Sequence, residues 1–492
     1  MTSRIRTSIG CALLVCSTVQ AQMSLTPLER GEFKKATSHE QMMQNLRELT
    51  AGSSRLTLDE IGKTVQGRII PSVQVGSSKG GEKIKVLLFC QQHGNEPSGK
   101  EAALMLLRNI AGGKEDALLR NIDLTVIPCV NPDGNEAGKR ANANGEDLNR
   151  DHLLLGQPEV QAVHALFSKL QPEVTLDVHE YAAYRKEFRD VGYVRSVDAQ
   201  FGAPTNLNVP AVIREYALKK LFPFLESRLK SNGVTFANYL KMNEPADTVR
   251  PSTTSIDDGR QSFAILNRFS FILEGKNGRS MDDELQRRAR SQLAAIETFL
   301  EFINSHHAEI RTMVRAKTKK IAGLKDPVIV KMDYLYKGER IDLPVLSLKS
   351  GRDSMASFAS APIVTPIESV SRPRAYVVPN DQTDLLAFLA RHHVVAETVK
   401  KPRKQLVERY SVVEVRSKWM ENKPIWYVTT QVEKAEIVLN EGDVIVPMNQ
   451  EHGTMLAIAL EPASMWGLVQ YDEFAKLRTK GSVYPVYRIA GN

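Results

Sequence analysis

The chain has 492 residues, 42% hydrophobic and 25% charged, a composition that suits a globular protein with more than one core and excludes a disordered or low-complexity chain. Its formal net charge is +8, and about +6 remains without Arg4 and Arg6. Spread over so long a chain, that excess does not mark a nucleic-acid-binding protein.

The first 21 residues, Met1 to Ala21, read as a secretory leader. Arg4 and Arg6 form its basic start, 9–16 its short apolar core and Val19-Gln20-Ala21 a cleavage site. The core is too short to span a bilayer, and no later stretch is apolar and long enough to do so. Val15 before Cys16 does not suit lipid attachment. A periplasmic or secreted protein is therefore expected. Only Cys90 and Cys129 remain after leader removal, and two readings stand for them: a disulfide, or two buried thiols.

Residues 26 to about 80 are mixed and polar, with a helix expected over 38–49. Residues 83–90 and 123–129 read as buried strands, separated by a helix over 101–110. Ser98 and Glu101 have the spacing of a capping box for that helix. Helices are expected over 157–170, 210–232 and 281–319, and short buried strands over 174–178 and 269–273. Strands alternating with helices predict an α/β fold, a mixed sheet flanked by helices. After about Leu324 the texture changes to closely spaced strand signals, at 328–336, 340–348, 375–378, 411–417, 425–432, 436–439 and 443–446, with helices at 382–391 and 455–460. The expected organisation is leader 1–21, an α/β domain 22–324 and a smaller β-rich C-terminal domain 325–492. The basic run 400–404 reads as a solvated loop.

Chemistry-bearing residues gather where the apolar runs end. His93 and Glu96 follow the 83–90 strand, where open α/β sheets build their sites. Imidazole nitrogen and carboxylate oxygen are both zinc ligands. The same pair also fits a solvated loop His beside a helix-start Glu, whose charge favours the helix dipole. Asn131-Pro132-Asp133-Gly134 ends the next strand. Arg140 and Arg150 lie in a polar loop with Asn142, Asn144 and Asn149, a composition suited to carboxylate recognition or to a salt-bridged surface loop. Asp177-Val178-His179-Glu180 ends a third strand, and Glu274 a fourth. A charge at such a place is solvated, paired or at work. His306-His307 and His392-His393 have no evident acidic partner and read as structural. His152 reads as structural or as lining a cleft.

In this order, H-x-x-E, N-P-D-G, R-x-N-x-x-G-x-D-L-N-R-D, D-x-H-E and the late Glu resemble the M14 family of zinc carboxypeptidases over residues 83–278. The tail, with Val446-Pro447-Met448-Asn449-Gln450 and Leu460-Glu461-Pro462, resembles the extension of a bacterial branch of that family. The resemblance implies that His93, Glu96 and His179 hold one zinc ion per chain. It implies that Asp147 orients His93 through the second ring nitrogen, that Glu274 is general base and acid, and that Arg140 steadies an oxyanion. Asn149 and Arg150 are then the groups that hold the free C-terminal carboxylate of a peptide substrate. The tyrosine usual in this family about twenty residues before the catalytic Glu has no counterpart in 250–255.

The specificity pocket is expected near Ile256-Asp257-Asp258-Gly259-Arg260, where the acids suit a basic side chain and Arg260 suits a second carboxylate, as in a diaminopimelate-type cell-wall peptide. An amide hydrolase acting on N-acyl amino acids, and an inactive peptide-binding protein, are the alternatives to a carboxypeptidase.

Overall fold

Nine strands build the N-terminal part of the chain: β1 (Leu56–Lys63), β2 (Ile69–Val75), β3 (Ile84–Cys90), β4 (Ile122–Ile127), β5 (Val174–Tyr181), β6 (Tyr193–Arg195), β7 (Ala199–Gly202), β8 (Phe236–Asn238) and β9 (Phe269–Lys276). All but β6 join one mixed sheet in the order β1-β2-β4-β3-β5-β9-β7-β8. Its centre, β4-β3-β5-β9, is parallel, and β1, β2 and β7 pair antiparallel at the sides. The computed structural model describes residues 25–76, 82–320, 326–420 and 423–491. The expected leader, Met1 to Ala21, and the expected boundary at 324/325 lie outside the described residues.

Parallel strands covered on both faces read as near-continuous apolar runs, and all eight residues of β5 are buried. Its alternate side chains point to opposite faces. Val178 faces α1 (Ser98–Ala111): a Cβ on Gly99 would sit 2.8 Å from Val178 Cγ1. On the same face Glu180 receives both arms of Arg288, at 2.8 and 2.9 Å, from α3 (Leu285–Lys320). On the opposite face Thr175, Asp177 and His179 point towards the short helix Gly259–Ala264. There Phe263 stacks on Phe167 of α2 (Pro158–Leu170), with ring centroids 4.3 Å apart.

The C-terminal part is β-rich: β10 (Val328–Leu335), β11 (Arg340–Ser347), β12 (Asp353–Ala359), β13 (Ile363–Val370), β14 (Ala375–Val378), β15 (Glu397–Thr398), β16 (Arg403–Met420), β17 (Lys423–Leu439), β18 (Val444–Pro447) and β19 (Tyr487–Ile489). Six of these form a sheet in the order β15-β18-β14-β19-β16-β17. β11 pairs with β12 and, on its other edge, with β6, Val345 opposite Arg195. One hydrophobic cluster includes Phe269, Ile303 and Val314 together with Val328, Tyr376, Phe388 and Leu456. The seam also carries polar contacts. Arg268 pairs with Glu451, and Trp466 Nε1 donates to Thr254 Oγ1 at 3.0 Å.

Several expectations need correction. Ser98 and Glu101 form no capping box. The helix begins at Ser98 after Pro97 without a side-chain cap, and Glu101 accepts instead from the Thr37 amide and hydroxyl, both at 2.7 Å. The helix expected over 210–232 is interrupted by a wider turn at Ala217–Leu221. Pro223 has no N–H to return to the preceding turn, which accounts for the interruption. The strands expected over 411–417, 425–432 and 436–439 are parts of the single hairpin β16–β17, which extends in both directions along an exposed face. The hairpin takes in Arg403 and Lys404 of the expected basic loop. β1, β2, β6, β7, β8, β12, β13, β15 and β19 were not expected. β12 and β13 are largely exposed, β1 is mostly half-buried, and all three lack the apolar runs that reveal central strands. Cys90 and Cys129 are buried free thiols, not a disulfide.

The shared cluster predicts that residues 25–320, produced alone, aggregate or bind an apolar dye, whereas the full chain melts in one transition. A soluble fragment with a cooperative melt of its own would show instead that the two parts fold independently.

Candidate metal centre

The site is built where β3, β5 and β9 end. At Gln91, the first residue past β3, the backbone turns left-handed, with φ 56°. Its buried side-chain amide donates to Gly94 O and Asn135 Oδ1, both at 2.8 Å. Such a conformation in a non-glycine residue persists only when its surroundings hold it. The loop that follows lies directly on the Asn131–Gly134 turn. A Cβ on Gly94 would come within 2.0 Å of the Gly134 carbonyl carbon, so only glycine permits this approach. Asn131 ties the two together, its amide donating to Gln92 O at 3.0 Å while its Oδ1 accepts from Gly134 N at 2.8 Å.

This packing brings His93, Glu96 and His179 together, all three buried. His93 Nδ1 lies 2.9 Å from Glu96 Oε1, His179 Nδ1 lies 3.0 Å from Glu96 Oε2, and the two Nδ1 atoms are 3.0 Å apart. The other nitrogen of each ring faces a carboxylate: His93 Nε2 is 3.0 Å from Asp147 Oδ1 and His179 Nε2 is 2.8 Å from Asp177 Oδ1. A carboxylate there holds the proton on Nε2 and leaves the Nδ1 lone pair facing the cluster. Two imidazole nitrogens and a carboxylate oxygen at this spacing suit a tetrahedral divalent ion with one position open. Among the described residues no other group of His, Cys, Asp and Glu side chains is arranged to hold a metal ion.

Glu274 stands directly opposite His179 in the β5–β9 register. Burial pushes its carboxyl up to about 7, against the pull of His179, His93 and Arg140. Arg140 donates through Nε and NH2 to Asp147 Oδ2, at 3.1 and 3.0 Å, and through NH1 to Glu96 Oε1 at 3.3 Å. Asn149 is buried. Its Oδ1 accepts from Gly259 N at 2.8 Å and its Nδ2 is 3.2 Å from His179 Nε2. Arg150 is exposed to the cleft, with NH1 donating to Asn149 O at 2.5 Å. Arg260 is buried, with NH2 donating to Ser252 Oγ at 2.6 Å and Asp258 Oδ2 at 3.1 Å. All of these except Asp147 and His179 line a single cleft of about 520 Å³.

Part of the site carries no signal in the sequence. Tyr239, one residue beyond β8, lines the cleft with Glu274, Arg150 and Arg260. It comes from a different stretch than the one searched for a tyrosine, and nothing local marks it. Arg195 also lines the cleft, its guanidinium 4.4 Å above the Tyr181 ring. Beneath His179, Asp177 accepts from Gln92 Nε2 at 2.9 and 3.0 Å, and Gln92 Oε1 is 2.8 Å from His152 Nε2. The amide orientation puts the proton on His152 Nε2, leaving Nδ1 to accept from His164 Nε2 at 3.0 Å. Burial pulls His152 down to about 4, so it is neutral as this chain requires. His152 therefore supports the site from behind. His306 and His307 each meet a backbone carbonyl, and His392 Nε2 donates to Leu153 O at 2.6 Å.

Residues 40–185 match the family described as zinc carboxypeptidase, peptidase M14. "Carboxypeptidase 2" of Trichophyton rubrum is 27% identical over 482 residues, spanning 92% of this chain and 86% of that protein. "Murein peptide amidase A" of Escherichia coli is 28% identical over 216 residues, spanning 34% of this chain and 83% of that one. Among solved structures, a metallo-carboxypeptidase from Pseudomonas aeruginosa in complex with (2-guanidinoethylmercapto)succinic acid superposes with a TM-score of 0.44 at 18% identity. That match covers 57% of this chain and 71% of the other. Among the described residues no helix is long and apolar enough to cross a membrane.

Proposed function

We propose that this chain, whose residues 40–185 match the zinc carboxypeptidase family M14, is a hydrolase of that family that removes C-terminal residues from peptides, using one zinc ion held by His93, Glu96 and His179. The observation that carries this reading is the convergence of those three side chains opposite Glu274, in a cleft that also presents Arg140 and Arg150. Bound there, the ion supplies Lewis acidity, polarising a carbonyl and lowering the pKa of water to about 7.

The protein side chains supply the rest. Glu274 takes a proton from the attacking water and returns it to the leaving amine nitrogen, so that the C–N bond breaks to a carboxylic acid and an amine, and the acid's proton then passes to the amine to leave carboxylate and ammonium. Burial raises the Glu274 carboxyl above its ordinary range, which makes it a stronger base than a fully solvated carboxylate. Arg140 is anchored by Asp147 with NH1 left at the edge of the ligand cluster, where it stabilises the oxyanion of the tetrahedral intermediate. Arg150, with Asn149 beside it, takes the substrate's α-carboxylate. Anchoring that group limits the enzyme to the last amide bond. Tyr239 supplies the phenol that 250–255 lacks, placed to donate to the substrate backbone from the cleft wall. Cell-wall peptides with a free C-terminus fall within this substrate class, and the chain acts in the periplasm or the medium after loss of its leader.

Glu274→Gln is expected to keep zinc at one per chain and lose at least about 1000-fold in kcat, while His179→Ala loses both metal and turnover; metal analysis and a peptide hydrolysis assay read the two. Full activity in either variant would falsify the assignment. Amidation of the peptide C-terminus is expected to lower kcat/KM by about 100-fold or more through loss of the Arg150 contact. Equal rates on free and amidated peptides, or turnover of N-acyl amino acids alone, would point to a different hydrolase. N-terminal sequencing of the exported protein is expected to begin near Gln22; a cytosolic product that retains Met1 contradicts export.

A further inference from the structure

We propose that Arg260 makes this a cleft for acidic C-terminal residues, its guanidinium receiving a second carboxylate from the side chain of the residue to be released. The proposal rests on the reading above, which assigns the α-carboxylate to Arg150, and goes on to name the side-chain class.

Arg260 is 1% exposed, yet it forms part of the cleft wall. A guanidinium has five N–H donors and stays charged, so burying it calls for acceptors. Only NH2 finds them, in Ser252 Oγ and Asp258 Oδ2. Nε and NH1 have no partner among the described residues. Donors left unpaired in a buried ion favour a ligand that brings the missing acceptors, and a carboxylate oxygen is a strong, charge-assisted acceptor for either of them.

The surroundings are shaped for this group. A Cβ on Gly202 would stand 2.7 Å from Arg260 NH1, so glycine there leaves the guanidinium its place. Tyr239 lies alongside, its ring centroid 5.9 Å from the guanidinium carbon.

The acids near Arg260 do not reverse the charge of the pocket. Asp258 Oδ1 is taken by the Gln261 N–H at the start of the Gly259–Ala264 helix, and Oδ2 by Arg260 itself. A basic substrate side chain would meet a carboxylate already engaged on both oxygens. Glu180, the other acid in the cleft outside the metal centre and Glu274, is bound on both oxygens by Arg288.

The test compares matched peptides ending in Glu, Asp, diaminopimelate, Leu or Lys, cleaved by the zinc-loaded full chain, with calorimetry of free glutamate and free leucine on the same protein. The expected result is a kcat/KM for acid-ended peptides at least about tenfold above those ending in Leu or Lys, with glutamate bound at least about tenfold tighter than leucine. Arg260→Met is expected to lower the Glu-to-Leu ratio of kcat/KM by about 100-fold, chiefly through KM. Preference for Leu or Lys endings overturns the inference and leaves the carboxypeptidase reading intact. If no peptide is cleaved, that reading fails, and calorimetry still decides the side-chain question: tighter glutamate supports it, equal or tighter leucine overturns it. The wild-type comparisons stand even if the variant does not fold. Among the acid-ended peptides, diaminopimelate ahead of Glu and Asp would identify a cell-wall source for the same chemistry.

Discussion

Parallel pairing of β5 with β9 sets His179 level with Glu274, and the rest of the site is arranged around that register. Side-chain direction alternates along a strand, so a slip of one residue would turn Glu274 away from His93, Glu96 and His179 and towards the face covered by α1 and α3. The register is secured by burial: β5 is buried throughout, as is β9 up to Gly275. Gly275 fits closely against α3, since a Cβ there would fall 2.3 Å from Gln292 Nε2. Gln292 in turn donates to His179 O at 2.7 Å. The packing that stabilises the sheet and the geometry that pairs His179 with Glu274 are thus the same contacts.

A buried cluster of charges persists only if each member is paired or bonded. Here the pairing is layered. Asp147 and Asp177 sit behind the two histidines, Arg140 braces Asp147, and Gln92 with His152 and His164 braces Asp177. Each layer removes freedom from the one in front, which leaves the two Nδ1 atoms facing inward before any ligand arrives.

The elements legible in the sequence were those whose signal is local. The central strands are short apolar runs, and His93, Glu96, His179 and Glu274 lie at their ends, where a polar residue breaks an apolar pattern. The structure brings these residues together as the motif order implied. Signals that depend on tertiary partners were not legible. Ser98 and Glu101 have the spacing of a cap, but Thr37, far off in sequence, captures Glu101. Tyr239 and Arg195 carry no local mark, because only the pairing of β8 with β7 and of β6 with β11, both distant in the sequence pattern, brings them to the cleft. The long β16–β17 hairpin is supported by pairing along its length and not by an apolar run, so its exposed ends looked like loop.

The contacts across the seam bear on what the β-rich part does for the cleft. Trp466 holds Thr254, in the segment that runs through Ser252 to Asp258 and Arg260. His392 holds Leu153, just past the loop that carries Asp147, Asn149 and Arg150. Those two loops are also joined directly, His152 N donating to Asp257 O at 3.2 Å. Loops that position binding groups are ordinarily the mobile parts of an α/β enzyme and need a rigid support. Here the sheet supports them from one side and the C-terminal part from the other. Its contacts therefore reach the wall of the cleft formed by Ser252, Asp258 and Arg260 and the loop that carries Asn149 and Arg150, whereas His179 and Glu274 sit on the central strands themselves.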